Sequence, residues 1–385
     1  MFVVMAGIYI HIPFCRQACH YCNFHFSTSF KTKEEMIKAM LREIEMQAGY
    51  LDGQEIQTIY FGGGTPSALP IEDIISILDV VANHHCIAST AEITLEANPD
   101  DLHAAGVTEW KDAGINRLSI GIQAFQDDLL AAWNRSHNAR EAMEAVAVAQ
   151  QAGIDNITVD LIYGGPGLSD EDWVSNIQRL IDAGIPHVSS YALTVETGTA
   201  LHHQIEKGKS KVPEDEQANR QYAILQEMLT ANGIMQYEVS NFAKSGFESR
   251  HNRSYWSGAH YLGIGPSAHS YNGVSRQWNV SNNVKYIQSI VSGLIPSEKE
   301  MLTDAQRFNE LVMTGLRTSM GIDMKRVASL GEKFEQYLTH QIESALEAKY
   351  IGGFEKNETG NWMLRNEFLF FADGIAAELF YESEF

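Results

Sequence analysis

The chain has 385 residues, 44% of them hydrophobic, enough for one large domain and a smaller one around a sizeable core. Its 49 acidic and 28 basic residues leave a formal net charge of −21, a mean field that repels phosphate backbones and anionic membrane surfaces, so nucleic acid is not an expected partner. It has no run of eighteen uninterrupted apolar residues, and its amino terminus lacks the basic segment and small-residue cleavage site of a secretory signal; the expectation is a cytoplasmic protein that is not integral to a membrane.

Met1 and Met5 are alternative starts. From there, short apolar or β-branched runs recur at the spacing of βα units: GIYIHI near Ile8, TIYFGGG near Ile59, EITLEANP near Thr94, RLSIGIQAF near Ser119, NITVDLIYG near Val159 and HVSSYALT near Ser189. Each is followed by a helical pattern, the first over Lys31–Leu51 with Met36, Met40, Ile44 and Ala48 on one face. Six such units predict an α/β fold, a partial (β/α)6 TIM-like barrel whose chemistry sits at the carboxyl ends of the strands. Lys207–Gln217 reads as an exposed loop. Residues 241–299 read as an irregular connecting region after a core of residues 1–240. From Glu300 to the end, two helices, a hairpin and a last helix predict a small winged-helix-like domain. That domain has 15 acidic against 8 basic residues, which argues against DNA binding.

Three of the four cysteines, Cys15, Cys19 and Cys22, follow the first predicted strand with the spacing C-x3-C-x2-C. Three thiols in a reducing compartment suit metal or redox chemistry better than a disulfide framework. A structural zinc site wants a fourth ligand, which His11, His20 or His25 can supply. A [4Fe-4S] cube can instead be held by three thiolates, leaving one iron for a small chelating molecule. Cys86, far from the others, reads as a small buried residue, and His84 and His85 as helix-end surface.

The cysteine spacing, the strand before it and the preceding YIHIPFC resemble the radical S-adenosylmethionine (SAM) superfamily. The resemblance implies a radical SAM barrel in which Cys15, Cys19 and Cys22 hold a [4Fe-4S] cluster and SAM chelates the open iron. FGGGTPS, with Gly63, Gly64 and Thr65, is similar to that family's loop for the methionyl amino group. By the same resemblance Tyr9, Glu96, Gln123, Arg135 and Asp160 fall on SAM-contacting positions. The residue types are suited to holding SAM, since a carboxylate accepts from ribose hydroxyls, Gln123 donates and accepts, and Arg135 can fork onto a carboxylate. Read singly, Glu96 or Asp160 is equally a helix cap and Arg135 half of a surface ion pair.

HIPFC, FGGGTPS, LEANP, IGIQAF and DLIYG together resemble one subgroup, the oxygen-independent coproporphyrinogen III dehydrogenases and the heme chaperones similar to them. The resemblance implies that the dehydrogenases carry a further cysteine two residues after the third, and a longer amino-terminal segment. Here Cys22 is followed by Asn23 and Phe24. HNRSYW, residues 251–256, resembles the motif of the chaperone branch. It implies His251 as the heme-binding histidine. Read from the residues alone, His251 can ligate iron, Arg253 can pair with a propionate and Tyr255 and Trp256 give flat apolar surface, or the segment is a histidine and aromatics packed at a domain junction. His269 in GPSAHSY is a second candidate. The expected function is a heme chaperone that binds the cluster, SAM and heme and delivers heme to apo-hemoproteins, including membrane-associated respiratory acceptors. The alternative is the dehydrogenase.

Overall fold

The computed structural model describes residues 6–348 and 353–382; Met1 and Met5 lie outside them. The chain divides into two compact units. One is Met1–Gln221 with Ser249–Glu300, and the other is Tyr222–Glu248 with Met301–Phe385. Most of the stretch read from sequence as a connecting region therefore lies in the first unit, and residues 222–240, read as core, lie in the second.

Strands and helices alternate through the first unit: β1 (Ala6–Ile12), α1 (Lys33–Met46), β2 (Ile56–Gly63), α2 (Ile71–His84), β3 (Ile87–Ala97) and α3 (Ala104–Asp112). There follow β4 (Arg117–Gln123), α4 (Asp127–Ala132), α5 (Ala139–Gln151), β5 (Ile157–Tyr163), α6 (Asp170–Asp182), β6 (His187–Ala192) and α7 (Ala200–Glu206). Helix α8 (Asp215–Ala231) runs across the boundary, and β7 (Met235–Glu238) with β8 (Asn241–Ala243) makes an antiparallel hairpin in the second unit. The chain returns to the first unit as α9 (Arg250–Ser257), β9 (His260–Ile264), β10 (His269–Tyr271), β11 (Ser275–Asn279) and α10 (Asn283–Val291), reaching the boundary again in β12 (Ser297–Met301).

Strands β1 to β6 pair in sequence order, and every pair is parallel. The strand order is linear, so these strands form a partial barrel. The period of two explains why they are so apolar: Ile8, Ile10 and Ile12 are fully buried on one face of β1, while Gly7, Tyr9 and His11 turn inward. Local chemistry starts the helices. At α5, Asn138 accepts from the amides of Arg140 and Glu141 while Glu141 bonds back to the Asn138 amide, a capping box.

β9 lies parallel along the other edge of β1, with Gly7 opposite Tyr261 and Tyr9 opposite Gly263; β10 and β11 continue the sheet antiparallel. One buried carboxylate ties this extension to α1. Glu43, fully buried, accepts from the Tyr286 hydroxyl on α10, the Gly265 amide (2.8 Å), Asn279 Nδ2 (2.7 Å) and Gln47 Nε2 (2.9 Å). Burial pushes Glu43 up to about 7, against the pull of those four donors.

In the second unit α11 (Asp304–Leu316), α12 (Met324–Leu330) and α13 (Glu332–Ala348) precede an antiparallel wing, β13 (Phe354–Lys356) and β14 (Trp362–Leu364), and a last helix α14 (Ala372–Glu378). The rings of Phe308 and Phe334 stack at 5.1 Å at its centre. Among the described residues no helix is long and apolar enough to cross a membrane. Cys86 corrects its expected burial. It is exposed, because it sits in the turn before β3, where its carbonyl accepts from the Ile56 amide and its side chain turns outward.

Candidate functional site

The segment after β1 is fastened on both sides. The Cys15 amide donates to the Ser27 carbonyl (3.1 Å), and the Cys22 amide to the Cys19 carbonyl (3.3 Å). Gln17 Nε2 donates to the Asn134 carbonyl and Oδ1, both at 2.9 Å, and Asn134 Nδ2 donates to the Ala18 carbonyl. The glycine loop zips onto the same segment. The Gly64 amide donates to Ile12 O (2.8 Å) and the Thr65 amide to Phe14 O (2.7 Å). A Cβ on Gly64 would lie 2.6 Å from Phe14 O and 2.7 Å from Ile12 O, so only glycine permits this approach.

Cys15, Cys19 and Cys22 line one cavity of about 360 Å³ together with Gly63, Gly64, Thr65, Glu96, Gln123, Arg135 and Asp160. These come from the carboxyl ends of β1 to β5, as a barrel site requires. Tyr9 does not line it. Its ring lies beneath, stacked with Tyr60 at 6.1 Å. None of the cysteines is in a disulfide. Among the described residues the ligand group that closes within 4.8 Å is His202, His203 and Glu206 on α7. The three cysteine sulfurs do not all lie within that distance of one another. Three thiols around a cavity, with the fourth cysteine at the opposite strand ends, fit a cluster with one open iron.

The electrostatics of the cavity are unusual. Burial pushes the Cys15 thiol up to about 11, opposed by the Thr65 hydroxyl, and Arg135 Nη1 stands 3.2 Å from Cys19 Sγ. Arg135 is itself held by Asn98 Oδ1 (2.8 Å) and the Gly121 carbonyl (2.6 Å). Burial pushes Glu96 up to about 7, although it accepts from the Tyr60 hydroxyl at 2.8 Å, and Asp160 up to about 6 against the Ser119 hydroxyl. Gln123 sits at a register shift between β4 and β5 with φ of 71°, a left-handed conformation costly for a residue with a side chain. Tyr60 and Ser119 escape the sequence reading. Both occupy strand positions whose inward direction follows from the period of two, the one signal that pointed to them.

His251 is placed elsewhere. It is 1% exposed, near the starts of β1 and β2, whereas the cysteines follow the carboxyl end of β1. Its Nδ1 is 2.7 Å from Thr58 Oγ1 and its Nε2 is 2.9 Å from the Tyr255 hydroxyl, and its ring stacks on Tyr60 at 5.0 Å. The amides of Arg250 and His251 donate to Glu92, which anchors the start of α9. In this fold His251 is buried, with both ring nitrogens engaged.

Residues 9–180 match the family model described as the radical SAM superfamily. The chain is 36% identical over 328 residues to the heme chaperone HemW of Mycobacterium tuberculosis, covering 84% of each. It is 35% identical over 370 residues to that of Bacillus subtilis, covering 92% of this chain and 98% of the relative. This chain belongs to the HemW family of the radical SAM superfamily. Other relatives of this HemW-family chain include a mitochondrial radical S-adenosyl methionine domain-containing protein 1 from Danio rerio, 33% identical over 83% of this chain and 74% of the relative. The coproporphyrinogen III oxidase HemN of Escherichia coli superposes with a TM-score of 0.82 over 97% of this chain and 90% of that one. At 20% identity that likeness establishes the shared fold.

Proposed function

We propose that this chain is a heme chaperone: it holds a [4Fe-4S] cluster through Cys15, Cys19 and Cys22, binds SAM in the adjoining cavity, and binds heme for delivery to apo-hemoproteins, membrane-associated ones included. The observation that carries the reading is identity of about a third with HemW chaperones across most of the chain. The cavity supports the cofactor assignment. Two buried carboxyls, Glu96 and Asp160, carry raised pKa values, and a cationic ligand such as SAM, with its sulfonium and ammonium groups, would return both to the ionised form. Arg135 is placed to meet a carboxylate beside Cys19. Cys15, Cys19 and Cys22 would hold the cluster, whose one open iron would be available for SAM to chelate and whose chemistry would be one-electron transfer. Glycines 63 and 64 let this loop pack against the His11 ring and the backbone of Ile12 and Phe14 at the cavity wall, and Gln123 offers both a donor and an acceptor. Phe24, 68% exposed at the rim of the cavity, stands where the resembling dehydrogenases have a cysteine, which separates this chain from decarboxylation chemistry. The cytoplasm is the proposed location.

The test is anaerobic reconstitution of the cluster, followed by two parallel assays: coproporphyrinogen III with SAM and reductant, and titration with heme followed at the Soret band. A saturable heme complex without protoporphyrinogen formation is the expected result. Conversion to protoporphyrinogen with no heme complex would overturn the proposal.

A further inference from the structure

We propose that α7 carries a second metal site, in which His202, His203 and Glu206 take one borderline divalent transition-metal ion of the zinc class. The segment LHHQIE places both imidazoles within reach of one carboxylate, because residues three and four apart on a helix are neighbours. The geometry follows that spacing. Glu206 Oε2 lies 3.1 Å from His203 Nδ1 and 3.8 Å from His202 Nδ1, and the ligand atoms of the three side chains all fall within 4.8 Å of one another. Ligands bound at about 2.1 Å to a tetrahedral ion stand about 3.4 Å apart, so the two contacts bracket the separation that such an ion sets.

The three side chains leave one nitrogen unsatisfied. His203 makes its hydrogen bond to Glu206, but His202 Nδ1 is buried and, among the described residues, has no hydrogen-bond partner, because the same carboxylate oxygen is too far away to accept from it. One ion shared by the three side chains would supply that partner. Two imidazoles and one carboxylate, with room for water in the remaining positions, suit zinc, cobalt or nickel over magnesium and calcium, which take oxygen donors. His203 and Glu206 are exposed, so an ion can reach them from solvent. The helix that carries them is fastened to the cysteine loop. His20, between Cys19 and Cys22, donates its amide to the Trp133 carbonyl (3.0 Å) and accepts at its own carbonyl from the Leu201 amide (2.8 Å). A helix of seven residues is marginal alone, so an ion bridging its side chains would brace α7 and, through Leu201, the segment between two of the cysteines.

The test uses the full chain with its cluster reconstituted, so that the three loop cysteines are occupied. It is titrated anaerobically with zinc ion by calorimetry, and a sample loaded below one equivalent is measured by X-ray absorption at the zinc edge. Wild type, His202→Ala, His203→Ala, Glu206→Gln and, as a control at an exposed histidine of the second unit, His340→Ala are compared, with iron and sulfide content and circular dichroism as checks on the fold. Wild type and His340→Ala should bind one zinc ion through nitrogen and oxygen alone, and the three site variants should each bind it at least about tenfold more weakly. Bound zinc should also slow hydrogen exchange over residues 200–206 in wild type and not in His203→Ala. Unchanged affinity in all three site variants, sulfur neighbours at about 2.3 Å from the zinc, or no saturable binding to wild type would each overturn the inference, and none of these outcomes bears on the heme reading.

Discussion

Replacing Glu43 by Gln should remove a pH dependence from the first unit. In the folded chain burial raises this carboxyl from its ordinary 4.5 to about 7. Between those values the folded chain keeps a proton that the unfolded chain has released, so this group's contribution to stability is full below about 4.5 and is lost as the pH rises through about 7. At about 1.4 kcal/mol for each pH unit, the interval is worth about 3 kcal/mol. Gln cannot titrate. The stability advantage of wild type over Glu43→Gln should therefore contract by about that amount from acid to neutral pH, on top of a constant cost of about 1–3 kcal/mol. The constant cost arises because the new amide faces donors, and the Gly265 amide cannot turn to accept. Because the chain has two compact units, the suitable assay is local: hydrogen exchange over residues 260–290, corrected for intrinsic rates, at about pH 5, 6 and 7. Parallel stability profiles for the two proteins across that range would mean that Glu43 does not hold its proton in this way.

Changing Cys15, Cys19 or Cys22 to Ser should abolish the iron and acid-labile sulfide recovered after reconstitution, whereas Cys86→Ser, at the opposite strand ends, should retain both; retained iron in the first set would refute the ligand assignment. Gly64→Ala should weaken SAM retention in equilibrium dialysis, because its Cβ would meet two backbone carbonyls at 2.6 and 2.7 Å. Gly374→Ala, with nothing within 4 Å of its Cβ, is the matched control.

The parallel strands were legible because each contains a short run of apolar or β-branched residues; β1 to β6 fall on the six runs read from sequence. The cavity followed from motif order, since residues at successive strand ends in a barrel converge. The β9–β11 extension was not legible. Its strands are three to five residues long, too short for a period of two to register among the surrounding glycines and serines, and they exist because β1 offers them an edge. The surroundings of His251 were equally hidden, since Thr58, which meets its ring, lies 193 residues away in the chain. Cys86 shows the limit of residue type as a guide: a small apolar side chain was read as buried, but a turn decided its exposure.

The pairing of β1 with β9 joins Ala6 to His260. A nascent chain therefore carries this edge of β1 open until synthesis reaches β9, and contacts of such long range form late. Of the two edges of the strand that leads into the cysteine loop, the one covered by β2 can close long before the one covered by β9. Until β9 arrives, that edge is open to mispairing and to chaperones that guard exposed strands.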